Sequence, residues 1–170
     1  MKKTYLILGV ILSSILSMNA QKIAVVDINA VLADMTAYQQ AQTELDKVAA
    51  EWRQEIAQQY DEIKSMYNKY QAEQVLLSDE VKTQREEGIM DIEKDVRELQ
   101  KGKFGPEGEL FLMRRELVNP IQEKVYDAIE QYAIESSYDL IIDKAGSAGV
   151  LFVSEKFDKT DLIRRRLSIR

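Results

Sequence analysis

Asp27 and Asp143 are the two residues whose placement comes nearest to a catalytic pattern. Each ends or adjoins a short, β-branched apolar run, Lys22–Asn29 and Asp139–Asp143. Runs of that kind pair, so the two carboxylates could meet as an acid–base couple. The competing role is structural, with each carboxylate ending a strand and meeting a lysine or a backbone amide. Little else offers chemistry. The sequence has no His and no Cys, which removes an imidazole base, a thiolate nucleophile, a Cys/His zinc site and any disulfide. Gly146-Ser-Ala-Gly149 lacks the lysine and the spacing of a phosphate loop and reads as a hairpin turn. An enzyme built from this chain would have only Asp, Glu, Lys, Ser or Tyr to work with. No activity, cofactor or metal is expected.

The elements that position these residues follow from composition and period. The chain has 170 residues, 45% of them hydrophobic and 31% charged, which is enough for one buried core. Only 2 Pro and 7 Gly interrupt it, as befits a chain rich in helix. The net charge of -6 argues against nucleic acid as a partner, because neutralising phosphates needs a dense basic face. The one basic run, Arg164-Arg165-Arg166 with Arg170, complements the C-terminal dipole of a last helix or docks an acidic group.

Residues 1–20 read as a secretory signal peptide: Lys2 and Lys3, an apolar run from Thr4 to Leu16, then Ser17-Met18-Asn19-Ala20 before Gln21. The apolar run is shorter than the about 20 residues that a membrane-spanning helix needs. Cleavage after Ala20 removes two lysines and takes the net charge from -6 to -8. An exported chain without Cys must hold together by packing or oligomerisation.

Beyond the first strand the period becomes helical. Tyr38, Ala41, Leu45, Val48, Trp52, Ile56, Tyr60, Ile63, Tyr67 and Tyr70 follow at steps of three and four. That is a heptad-like stripe on a single helix of about 70 Å. Ser78-Asp79 is a cap signal after Leu76-Leu77, so a tight turn is expected near 77–79 and a second helix returns antiparallel. Gly102, Gly105, Pro106 and Gly108 interrupt the returning helix and predict a flexible elbow there, with a packed structural kink as the alternative. Pro120 predicts a further kink. Strands then resume as Asp139–Asp143 and Val150–Val153, and Asp158 caps a short helix carrying Leu162, Ile163 and Leu167.

The fold class is therefore mainly α with a small β body. A long antiparallel helical hairpin, 31–137, is inserted between the first strand and the last two. The body comprises 21–30 and 138–170. Its strand residues Ile23, Val25, Val26, Leu140, Ile141, Ile142, Val150, Leu151 and Phe152 are apolar on both faces. Three short strands and one helix cannot cover that surface alone, so self-association is expected. On the hairpin, Tyr60, Met66, Tyr67, Tyr70, Leu76, Leu77, Ile89 and Met90 crowd the distal half, with Phe104 and Phe111 flanking the interruption. Helix neighbours point about 100° apart, so one seam cannot take them all. The remainder are candidates for contact with unfolded chains, a task that flexible Met and amphipathic Tyr suit.

The opening strand Lys22–Leu32, the turn Leu77-Ser-Asp-Glu80, Pro120-Ile-Gln-Glu-Lys-Val125 and Tyr138–Asp143, in this order, make the mature chain resemble the Skp/OmpH-like periplasmic chaperones. The resemblance implies a homotrimer whose β-rich body carries three coiled-coil tentacles around a cavity. It also implies a holdase that protects unfolded outer-membrane proteins without ATP. Familiar members are basic, whereas this chain is acidic, so no residue is assigned to lipopolysaccharide and contact with it or with the membrane is left open. The alternative from another class is a structural coiled-coil spacer or membrane-anchored stalk in the envelope.

Overall fold

A computed structural model describes residues 21–146 and 149–169. The expected signal peptide and residues 147–148 of the expected Gly146–Gly149 turn lie outside the described residues. In chain order the elements are β1 (Ile23–Val26), α1 (Ile28–Asp34), α2 (Thr36–Glu73), a 3-10 turn (Gln74–Leu76), α3 (Asp79–Phe104), α4 (Glu109–Glu135), β2 (Leu140–Asp143) and α5 (Thr160–Arg166). They fall into two compact units, one of residues up to 31 together with 125–170, the other of residues 32–124.

In the first unit β1 and β2 pair in parallel, with Ile23 opposite Leu140 and Val26 opposite Asp143. A parallel pair needs a long crossover, and here the helices between the strands supply it. Backbone bonds flank the ladder at both ends: Asp139 N to Lys22 O and Lys144 N to Val26 O, each 2.9 Å. The other edge of β1 is taken by the segment before α5. Val25 N donates to Phe157 O and Lys159 N to Val25 O, both at 2.8 Å. Ala24, Val25 and Val26 are buried, as befits a strand with neighbours on both edges.

That edge corrects one expectation. Val150–Val153 forms no strand in the single chain, and the partner of β1 is the bridge from Val25 to Asp158. The reason lies in side-chain hydrogen bonds that the 158–160 segment supplies and the 150–153 segment does not. The Asp27 amide donates to Thr160 Oγ1 at 2.9 Å, and Thr160 in turn donates its hydroxyl to Asp158 Oδ1 at 2.6 Å.

The opening strand is also shorter than its composition indicates. It stops at Val26, and Ile28-Asn29 belongs to α1, because Asp27 is a helix N-cap: its Oδ1 accepts from the Ala30 amide at 2.8 Å. The single long helix is likewise divided. Met35 has extended dihedrals (φ -79°, ψ 120°) between α1 and α2, and Gln39 Nε2 covers the otherwise open Ala33 carbonyl at 2.7 Å. No Gly or Pro marks this break in the sequence.

In the second unit α2 and α3 form the hairpin. Ile56, Ile63 and Tyr70 of α2, seven residues apart, pack with Ile89 and Val96 of α3, also seven apart, and Leu77, Leu99 and Phe104 close over them. Sevenfold spacing on both helices is the seam of an antiparallel coiled coil. Toward the start of α2 the buried positions are Ala41, Leu45 and Ala49, so the stripe passes through Ala49 where the three-and-four spacing had placed Val48. Ser78 has the extended backbone of an N-cap but makes no side-chain cap bond, and Asp79 and Glu80 occupy the first turn of α3.

The interruption is narrower than the glycines alone indicate. Gly102 lies inside α3, and the break spans Gly105–Gly108. Gly105 N bonds Lys101 O at 2.8 Å, Gly108 N bonds Gly105 O at 2.9 Å, and Leu112 N bonds Gly108 O at 3.1 Å. A Cβ on Gly105 would lie 2.4 Å from Lys101 O, and one on Gly108 would lie 2.7 Å from Gly102 O. Close backbone approach, not slack chain, explains these two glycines. The interruption is thus a hydrogen-bonded turn, the geometry of a packed kink.

Candidate functional site

The two carboxylates that could have met as an acid–base pair are engaged with backbone. Asp27 caps α1. Asp143 Oδ1 accepts from the Ile28 amide at 3.3 Å and the Ala145 amide at 2.9 Å, and its Oδ2 from the Gly146 amide at 3.1 Å. Beside them Lys144 Nζ sits 2.9 Å from Asp158 Oδ2 and 3.7 Å from Asp27 Oδ2. Partial burial would raise the Asp158 pKa, but the Lys144 ammonium and the Thr160 hydroxyl and amide outweigh it and hold the carboxyl at about 2. The same contacts raise the pKa of Lys144. A polar groove of about 480 Å³ lined by Asp27, Lys144, Glu155, Asp158 and Asp161 runs over this cluster. Lys144 pairs with Asp158 and Asp27, Asp161 pairs with Arg164, and Asp27, Asp143 and Asp158 orient backbone amides, so these contacts tie β1, β2 and the start of α5 together. Among the described residues no group of acids could hold a metal ion.

Apolar surface is the other feature of note. Of the hairpin residues singled out from the sequence, Tyr70 and Ile89 are in the seam, and Leu77 and Phe104 are partly covered by it. Tyr70 also donates its hydroxyl to Glu86, which pushes the phenol above its usual range. The remaining six stay exposed. Leu76 is 85% exposed at the turn, Met90 56% and Tyr67 50%, with Tyr60, Met66 and Phe111 near two-fifths. Tyr60 touches Gln100 Oε1 at 3.3 Å, and the Arg115 guanidinium lies 5.8 Å from the Phe111 ring centre.

Sequence reasoning missed Val75, which is 84% exposed beside Leu76. Its signal was the run Val75-Leu76-Leu77, since only one of three successive residues can face a seam. Also missed was the cluster beside the break, where Trp52 meets Phe104 edge-on at 6.1 Å and Lys103 Nζ lies 4.5 Å above the Trp52 ring. Lys103 reaches across the turn to Glu109 at 2.7 Å, so cation–π and ionic contacts bind the end of α3 to the start of α4.

In the first unit Val25 and Val26 are buried, and Ile23, Ile141, Ile142 and Val150 are half-buried. Leu140 is 50% exposed, Phe152 85% and Leu151 98%. Ile134 and Tyr126 are exposed as well, and neither was singled out from the sequence. Of the C-terminal arginines, Arg166 grips Glu135 with both guanidinium nitrogens and lowers the Glu135 pKa through that hydrogen bond. Arg164 pairs with Asp161 at 2.9 Å. Arg170 lies outside the described residues.

Among the described residues no helix is long and apolar enough to cross a membrane. No curated protein sequence matches this chain. The family described as outer membrane protein (OmpH-like) matches residues 22–167, nearly the whole described chain and both of its units. The hairpin fold and this match agree, and the chain belongs to the OmpH-like family of periplasmic chaperones for outer-membrane proteins.

Proposed function

We propose that this protein is an ATP-independent holdase that keeps unfolded outer-membrane proteins from aggregating while they cross the periplasm. The observation that carries the reading is the set of large apolar side chains left exposed along the hairpin, Tyr67, Leu76 and Met90 foremost, in a chain of this family. No reaction is required. Each patch of client apolar surface covered is worth about 25 cal/mol per Å², so many small contacts add up while none fixes the client in place.

The active form in this reading is a homotrimer exported by a cleaved leader. The body, 21–30 with 138–170, buries Leu140, Leu151 and Phe152 against other subunits, and the hairpins, 31–137, surround the client. Such exposed residues on a monomer support an oligomer, because isolated apolar patches of this kind are otherwise left wet. Three arms acting on one client raise its effective affinity without demanding sequence specificity.

The test is suppression of aggregation. An unfolded outer-membrane barrel protein diluted from urea should stay soluble with the purified mature protein present and scatter light without it. An unfolded soluble enzyme serves as comparison. Equal scattering with and without the protein, for both substrates, would overturn the holdase reading.

A further inference from the structure

Gln21 directly follows Ser17-Met18-Asn19-Ala20, and its surroundings suit a modification. It is exposed and makes no hydrogen bond among the described residues. Its neighbour is held firmly. The Lys22 amide donates to Asp139 Oδ2 at 2.7 Å, and the Lys22 carbonyl accepts from the Asp139 amide at 2.9 Å. The Lys22 ammonium donates to the Ser136 carbonyl and lies 4.5 Å from the centre of the Tyr138 ring. The chain is thus held at Lys22, and Gln21 beside it is exposed.

We propose that Gln21, once the leader is removed, closes into an N-terminal pyroglutamyl residue. This rests on the reading of residues 1–20 as a cleaved leader. The step balances without a co-reactant. The α-amine nitrogen of Gln21 attacks Cδ of its own side-chain amide, and a C–N bond forms. The bond from Cδ to Nε2 breaks, and the proton shed by the amine leaves with Nε2 as ammonia. Nothing is oxidised or reduced. The five-membered lactam is more compact than an extended glutamine, so the exposed site accommodates it without moving Lys22 or Asp139.

Two consequences follow from the geometry. Ring closure removes the terminal ammonium beside Lys22. It also denies aminopeptidases a free amine. Exposed termini are where trimming starts, and the second residue they would take is the one tying β1 to Asp139 and Ser136.

The test reads the N-terminal peptide of the full-length protein, recovered from the cells that naturally make it, by mass spectrometry. An isotope-labelled synthetic peptide, Gln-Lys-Ile-Ala-Val-Val, is added at lysis to measure ring closure during handling. The expected result is a protein peptide beginning at Gln21 and lighter by one ammonia, with the labelled peptide largely open. A Gln21 terminus with a free amine, or closure no greater than in the labelled peptide, overturns the proposal and leaves the leader reading intact. A different terminus, or a retained leader, overturns both. A Gln21→Ala variant should lose Lys22 to a purified aminopeptidase several-fold faster than the natural protein, and equal loss would overturn the protective role.

Discussion

Alanine substitutions at Gly102 and Gly108 should move stability in opposite directions, although only six positions separate them. Gly102 lies within α3 with nothing inside 4 Å of a new Cβ. Gly102→Ala therefore gains the helix preference of alanine over glycine, about 1 kcal/mol. At Gly108 the added carbon would meet Gly102 O at 2.7 Å, Gly105 N at 2.8 Å and Lys103 O at 2.9 Å. All three are backbone atoms of the turn that carries the Gly105 to Lys101 and Gly108 to Gly105 hydrogen bonds, so no side chain can swing away to make room. Overpacking of that kind costs about 1–3 kcal/mol. The two variants should then differ by about 2–4 kcal/mol, and at a urea dependence of about 1–3 kcal/mol per molar their unfolding midpoints separate by roughly 0.7–4 M. Urea titrations followed by far-ultraviolet circular dichroism, at one fixed protein concentration because assembly contributes to stability, measure this directly. Coincident midpoints, or Gly108→Ala as the more stable of the two, would refute the built turn and restore the open elbow.

Acid should weaken the first unit through Asp158. Its folded pKa of about 2 lies below the ordinary aspartate value of 3.8, so its contribution is present above pH 4 and is lost as pH falls toward 2. That contribution is about 2 kcal/mol, and Asp158→Asn should flatten this part of the acid limb in stability measured against pH. Ile63→Ala, in the sevenfold seam, should cost about 2–5 kcal/mol by thermal or urea unfolding, and a loss below 1 would show that the seam does not carry the hairpin. If the exposed apolar surface of the first unit is an assembly face, the mature protein should scatter light as a trimer of roughly 50 kDa, and Leu151→Asp with Phe152→Asp should shift it toward monomer. Replacing Tyr67, Leu76 and Met90 together by Ser should leave the unfolding midpoint nearly unchanged and lower the capacity to hold an unfolded barrel protein. An unchanged capacity would move the client surface elsewhere.

Much of the candidate surface could be read from one-dimensional spacing. Leu76 and Leu77 cannot share a seam, and the structure buries Leu77 in part while leaving Leu76 out. Met66 and Tyr67 are both exposed, whereas Tyr70, one helical turn on, is covered. Spacing alone could not choose which of the aromatic residues takes the seam, because steps of three and four leave Tyr67 and Tyr70 on nearly the same stripe. The arrival of α3, with Ile89 opposite and Glu86 accepting the Tyr70 hydroxyl, makes that choice.

The sequence by itself determined the class of the fold, because hydrophobic period and the scarcity of Gly and Pro are local properties that act wherever the chain goes. The helical hairpin, the turn after Leu77, the break before α4 and the strand character of Ile23–Val26 and Leu140–Asp143 all follow from such patterns. Tertiary structure alone decided what depends on partners distant in the chain. Asp27 reads as part of a strand until its carboxylate is seen capping α1 and its amide meeting Thr160, more than a hundred residues away. Val150–Val153 has the composition of a strand and lacks one, because the edge of β1 is held by the segment carrying Asp158 and Thr160, whose polar side chains complete hydrogen bonds that valine and leucine cannot make.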